Sequence, residues 1–205
     1  MSGTSAPYAR HGSSFHVAPV NSVRQAGDVP DIEVRATADV PPAVLDALRA
    51  LLVAAFGGTF SADDWDHTLG GCHVLVTESG VLVAHAAVVE RTLHVDGVPF
   101  RTGYVEGVAT APSRQGRGLG TLATGAATDL VRAGFDLGAL STGVPAFYER
   151  LGWERWAGPT FVRGDGGAVR TPGEDGGVLV LRHGPSAGVA LAAGIACDAR
   201  SGDDW

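Results

Sequence analysis

The chain has 205 residues, room for one globular domain and little more, and its 45% hydrophobic and 18% charged residues exclude a disordered chain. All 15 basic residues are arginine, and the absence of lysine excludes Schiff-base enzymes, pyridoxal phosphate enzymes and Walker-A nucleotide sites. The net charge is −7; of the charged residues, 1–30 hold only Arg10, Arg24 and Asp28, so the body is more acidic than the whole, a balance expected to repel nucleic acid and anionic membrane and either to attract a cation or simply to keep the protein soluble.

Residues 1–30 mix Gly, Ser, Pro and His without a sustained period, which predicts a flexible tail ahead of a domain over residues 31–205. The start lacks the apolar stretch of a secretion signal, and no apolar run reaches the ~20 residues of a membrane span, so a cytoplasmic protein is expected. From Asp31, Ile32 and Val34 alternate with Glu33 and Arg35 as in a strand. A helix follows Pro41 and Pro42, with Val44, Leu48, Leu51, Leu52 and Ala55 on one face and Gly57-Gly58 at its end. In the connector from Phe60 to Leu69, Ser61 can cap a short helix with Asp63 and Asp64 in its first turn. Cys72 to Glu78, a turn at Ser79-Gly80 and Val81 to Val95 read as a hairpin; Asp96-Gly97 then turns into a third strand, Val98 to about Thr110. After Pro112, a glycine-rich loop leads into a helix carrying Leu119, Leu122, Ala123, Ala126, Leu130 and Val131 and ending at Gly134. A strand at Leu137 to Leu140, a short helix at Pro145 to Leu151, and strands at Pro159–Val162 and Val178–Leu181 complete the expected elements. This order predicts an α+β (mixed α/β) domain built on one central sheet.

The loop from Gln115 to Gly120 joins a strand to a helix, where glycines let N–H groups converge on an anion such as phosphate. The dinucleotide fingerprint fails, because Thr121 stands where its last glycine belongs and antiparallel strands precede the loop. The seven histidines form no metal-binding pattern; Cys72 and Cys197 form no disulfide framework and read as buried apolar residues. His67 and His73 read as structural or surface groups, and Trp65, Trp153 and Trp156 as core.

Gln115, Gly118 and Gly120 fit the spacing of the pyrophosphate loop of the GNAT N-acetyltransferases: arginine or glutamine, two residues, glycine, one residue, then glycine or alanine. Phe147-Tyr148 followed by Gly152-Trp153 resembles a second segment of those enzymes. The stretches Asp64 to Gly71, Gly103 to Ala109, Leu137 to Ser141, Trp156 to Thr160 and Cys197 to Trp205, with Arg170-Thr171-Pro172 and Asp175-Gly176, resemble the aminoglycoside 2′-N-acetyltransferases within that superfamily. The resemblance covers residues 31–205.

It implies the GNAT acyltransferase fold, a central mixed, mostly antiparallel sheet flanked by helices. It also implies acetyl-CoA as cofactor, no metal, and an aminoglycoside acetylated on its 2′-amine, with antibiotic resistance as the outcome. Backbone groups of Val108, Ala109 and Thr110 would pair with the pantetheine arm, with the Val108 N–H on the thioester oxygen. Gln115, Gly116, Arg117, Gly118, Leu119, Gly120 and Thr121 would hold the diphosphate. Glu106 would be the base and Tyr148 the acid. Thr59, Glu106, Gly107, Ser141, Glu174, Asp203 and Trp205 with its terminal carboxylate would contact the sugar. Thr59 and Glu174 stand where the family carries aspartates. A homodimer is expected by analogy. Two rivals remain at this point: a GNAT enzyme for another amino sugar or small amine, and a non-catalytic module that binds CoA or antibiotic.

Overall fold

The computed structural model describes residues 29–205. Residues 1–28, nearly all of the expected tail, lie outside the described residues. Strand β1 (Asp31–Ala36) is followed by α1 (Pro42–Ala55), which carries a proline in its first turn and buries Leu48, Leu51 and Leu52. Helix α2 (Ala62–His67) starts with a full capping box: the Ser61 hydroxyl accepts from Asp64 N–H, and the Asp64 carboxylate accepts from Ser61 N–H. Then come β2 (Cys72–Glu78), β3 (Val81–Val95) and β4 (Val98–Thr110). Their two turns have positive φ at Ser79, Gly80, Asp96 and Gly97, the geometry of tight hairpins. Helix α3 (Leu119–Gly134), β5 (Leu137–Ser141) and α4 (Pro145–Glu149) follow as expected.

The last third is richer in strands than its sequence pattern suggests. Strand β6 (Glu154–Arg155), β7 (Thr160–Gly164), β8 (Gly167–Arg170), β9 (Val178–Arg182) and β10 (Ile195–Asp198) all join the same sheet. The sheet runs β6-β9-β5-β4-β3-β10-β7-β8, with β2 also on β3 and β1 on β2. Most neighbours are antiparallel; β4–β5 and β7–β10 are parallel. This is the expected mixed α+β sheet. Leu119, Ala123, Ala127 and Val131 of α3 pack with Val74, Val76, Val88, Val105, Tyr148 and Trp153. Leu48, Leu51 and Leu52 of α1 pack with Leu75 and Ala109 in a separate cluster. A third cluster gathers Tyr104, Trp156, Cys197 and Trp205 and so ties the C-terminal segment to β4. Among the described residues, no helix is long and apolar enough to cross a membrane.

Candidate active site

The site begins where the sheet opens. Parallel pairing of β4 with β5 stops at Tyr104, opposite Ala139, although β5 continues to Ser141 against β9. Beyond Tyr104, β4 has no ladder partner on that side among the described residues, so strand main chain borders a gap. On its other side, Glu106 faces Ala87 and Ala109 faces His85, leaving Gly107 and Val108 against Ala86 alone. This is a β-bulge, which bends a strand and re-aims its peptide groups. Gly107 has φ +55°, and a Cβ there would lie 2.7 Å from Thr68 Cγ2, so the bend needs glycine on both counts.

A cavity of about 530 Å³ opens at the bulge, lined on β4 by Val105, Glu106, Gly107 and Val108. Phe56, Thr59 and Phe60 reach it from the end of α1, and Asp64 and His67 from α2. The end of β5 supplies Ser141, the turn after it Thr142 to Val144, α4 Tyr148, and the C-terminal segment Arg200, Asp203 and Trp205.

Glu106 is an enclosed carboxylate of this wall, its side chain 16% exposed and 2.8 Å from Arg200 Nη1. Burial raises its pKa; the Arg200 guanidinium pulls the other way and does not cancel the rise. Arg200 also donates to the main-chain oxygens of Asp203 at 2.7 Å and Trp205 at 3.4 Å, and so braces the C-terminal turn against β4. Arg91 adds a bond to Asp204 O at 2.7 Å. Tyr148 is buried, and burial pushes its phenol up to about 12 against the pull of a bond to Thr142. Burial also lowers the pKa of His67, with Arg200 adding to the effect; His67 Nε2 lies 2.9 Å from Ser201 O.

Beyond the bulge, β4 leads to an anion-binding arrangement. Helix α3 starts at Leu119 behind Gly118, whose φ of +80° sets the turn, and among the described residues no side chain caps it. The first-turn N–H groups of this 16-residue helix are therefore available to an anion. Gly120 approaches Thr110 Oγ1 closely, a Cβ there lying 3.0 Å away. Gln115 Nε2 lies 3.5 Å from Thr110 O. Arg114 and Arg117 flank the turn and both pair with Glu78, at 3.3 and 3.0 Å. An open strand edge running into an uncapped helix N-terminus fits an extended amide-bearing arm that carries phosphate.

The sequence profile of the acetyltransferase (GNAT) domain matches residues 39–156. An aminoglycoside 2′-N-acetyltransferase of Mycolicibacterium fortuitum is 42% identical over 173 residues, 82% of this chain and 89% of that one. The chain belongs to the aminoglycoside 2′-N-acetyltransferase family of GNAT acetyltransferases. A GNAT family N-acetyltransferase of Escherichia coli, solved with CoA, superposes with a TM-score of 0.61 at 18% identity, over 85% of this chain and 93% of that one. A GNAT acetyltransferase of Brucella melitensis, solved with acetyl-CoA, gives 0.54 at 17% identity over 80% and 94%. Several other matched structures, among them a GCN5-related N-acetyltransferase of Kribbella flavida, are longer, and this chain spans about a third of each.

In this member of the family, Thr59, Glu106, Gly107, Val108, Ser141, Tyr148, Asp203 and Trp205 share one cavity. Ala109, Thr110 and Gln115 to Thr121 lie outside it, along the end of β4 and the turn into α3. Glu174 does not line it; it sits on the 3-10 turn Pro172–Glu174, where burial and the charge of Asp203 raise its pKa. Thr59 donates to Phe56 O at 2.7 Å. Arg200, Asp64, His67 and the two phenylalanines were missed as site residues. The Ser61 capping pattern placed Asp64 on a helix, but nothing local aims that helix at β4. Among the described residues, no group of three or more His, Cys, Asp or Glu is placed to hold a metal ion.

Proposed function

We propose that this chain transfers the acetyl group of acetyl-CoA to the 2′-amine of an aminoglycoside through the residues around the β4 bulge. The observation that carries the reading is Glu106: an enclosed carboxylate of raised pKa, one residue from the bulge and facing the acceptor cavity. An amine reaches the site mostly as ammonium at neutral pH and must lose a proton before it attacks. Glu106 accepts that proton. The attacking nitrogen forms its bond to the acyl carbon, and the C–S bond of the thioester breaks. The Val108 N–H receives the charge that develops on the acyl oxygen. Tyr148, still protonated near neutrality, gives its proton to the departing thiolate.

The remaining assignments follow from position. Val108, Ala109 and Thr110 offer the open strand edge to the pantetheine arm. Gln115, Gly116, Arg117, Gly118, Leu119, Gly120 and Thr121 hold the diphosphate at the start of α3. Thr59, Gly107, Ser141, Asp203 and a Trp205 main-chain oxygen contact the polycation from the cavity wall, with Glu174 at a distance from it. Each ammonium drawn from water needs such a partner.

The test is the product formed from tobramycin and acetyl-CoA, read by mass spectrometry for a single acetyl group and by NMR for its position. Equal turnover of 2′-hydroxyl aminoglycosides refutes the 2′ assignment. Background CoA release with every amine tried, while acetyl-CoA still binds, refutes catalysis in favour of a binding module.

A further inference from the structure

Two histidines that this chemistry does not use sit directly behind the bulge. His73 on β2 and His85 on β3 are both fully buried. They share a face because the β2–β3 ladder slips by one residue. Glu78 faces Val81 and Thr77 faces Leu82, but Val76 faces Ala84 and His73 faces Ala87. With Val83 in step, His73 would face Ala86, and His85 would point to the opposite side of the sheet.

The contacts form a line. Thr37 Oγ1 lies 2.9 Å from His73 Nε2, His73 Nδ1 lies 3.0 Å from His85 Nε2, and His85 Nδ1 lies 2.8 Å from the Gly107 carbonyl. A carbonyl only accepts, so His85 Nδ1 carries the proton. Burial lowers the pKa of His85 to about 3 and of His73 to about 4, so both rings are neutral near pH 7. The bare Nε2 of His85 then accepts from His73 Nδ1–H, and the bare Nε2 of His73 accepts from the Thr37 hydroxyl. Gly71 O, 3.1 Å from that hydroxyl, is a second acceptor for it, but a hydroxyl hydrogen placed there would leave Oγ1 and the bare Nε2 of His73 facing each other at 2.9 Å with no proton between them. The Gly70 N–H donates to Thr37 Oγ1 at 3.0 Å. Every bond of the line therefore donates in one direction, toward the bulge.

The peptide joining Gly107 to Val108 is planar and trans, so its C=O and N–H point opposite ways. Holding the carbonyl against His85 turns the Val108 N–H away from the core. Aligned hydrogen bonds also polarise one another, and a carbonyl that accepts such a bond leaves its N–H a better donor. We propose that His73 and His85 are positioning residues for acyl transfer: the directed line from Thr37 through both rings clamps the Gly107 carbonyl and so aims and polarises the Val108 N–H. This rests on the reading of Val108 given above.

The experiment uses the full chain with three variants. His85→Leu removes the donor, His85→Asn keeps an amide N–H near the place of Nδ1, and Thr37→Val removes the far end. Long-range ¹⁵N–¹H spectra of the wild type should show both rings protonated on Nδ1. His85→Leu should lower kcat about 10- to 100-fold while KM for acetyl-CoA changes by less than about 3-fold; this is less than losing an oxyanion donor outright, since the N–H remains. His85→Asn should restore most of the rate, and Thr37→Val should cost a few-fold in kcat alone. A proton on His85 Nε2, a loss confined to KM, or equal impairment of folded Leu and Asn variants overturns the proposal. If His85→Leu does not fold, the ring protonation and Thr37→Val decide. A wild type that acetylates no amine overturns the functional reading and this proposal together, whereas an active wild type matched by His85→Leu overturns this proposal alone.

Discussion

Gly107→Ala tests the bulge with a single methyl group. At φ +55° a residue with a Cβ is strained, by about 1 kcal/mol or somewhat more. The new carbon would also lie 2.7 Å from Thr68 Cγ2 and 3.4 Å from Leu52 Cδ2. Neither neighbour can swing away: Thr68 and Leu52 are 1% and 0% exposed, and the Thr68 hydroxyl is tied to Trp65 O at 2.7 Å. Relieving the overlap means moving the end of α2 or flattening the bulge, which adds about 1–3 kcal/mol. Together the two effects predict a loss of about 2–4 kcal/mol in urea denaturation. The rate should suffer more, because a shift of about 1 Å in a reacting group costs about 10²-fold. Gly118→Ala is the control. Its φ is +80° with nothing within 4 Å of the new carbon, so it pays the backbone strain alone. It should lose about 1 kcal/mol and bind acetyl-CoA more weakly while keeping kcat. CoA release followed with a thiol reagent measures both variants. A Gly107→Ala enzyme with wild-type kcat and less than about 1 kcal/mol of destabilisation refutes the idea that the bulge is pinned and that its peptide must be aimed.

Glu106→Gln should lower kcat by about 10²- to 10⁴-fold. Burial raises the pKa of Glu106, so the base is protonated at acid pH and wild-type kcat/KM climbs as pH rises through that value; the glutamine enzyme should lose this limb. Tyr148→Phe should reduce kcat more than it weakens binding of either substrate, measured by steady-state kinetics and calorimetry. With the phenol near 12, its ionisation should give wild-type activity no alkaline fall between pH 7 and 10. The buried histidines make stability pH-dependent: their folded pKa values lie near 4 and 3, below the unfolded 6.5, so their neutral forms stabilise the fold above pH 6.5 and that stability drains away as pH falls toward 4. Urea denaturation should show the loss approaching about 1.4 kcal/mol per pH unit per ring; constant stability from pH 6.5 to 5 contradicts the neutral pair.

The first two-thirds of the fold was legible because its signals are local. Proline at the start of α1, the Ser61 capping box and the Asp96-Gly97 turn each act within a few residues, and each element formed where those signals lie. Strands β8 and β10 gave no such signal. All four residues of β8 are exposed, so no alternation marks them. Strand β10 has four residues and owes its existence to slots beside β3 and β7 that only the assembled sheet provides. The glycine loop could be read from its spacing, whereas Glu106 was singled out only through the family resemblance. Arg200 could not, because a wall read as a receptor for cations gives no reason to seek a guanidinium within it. The relation of His73 to His85 depends on one residue left out of the β2–β3 ladder, Val83, which nothing in a run of valines and alanines announces.

The two halves of the site are assembled differently. On the function proposed above, the coenzyme half comes from one unbroken stretch, β4 through the start of α3. The acceptor half shares the β4 bulge but is otherwise gathered from the end of α1, α2, the end of β5 and the turn after it, α4 and the C-terminal segment, held together by contacts such as those of Arg200. Single replacements in those scattered pieces can therefore reshape which sugar is accepted while the acyl donor is gripped as before. Selection by a new drug has many independent places to act, and none of them requires rebuilding the engine.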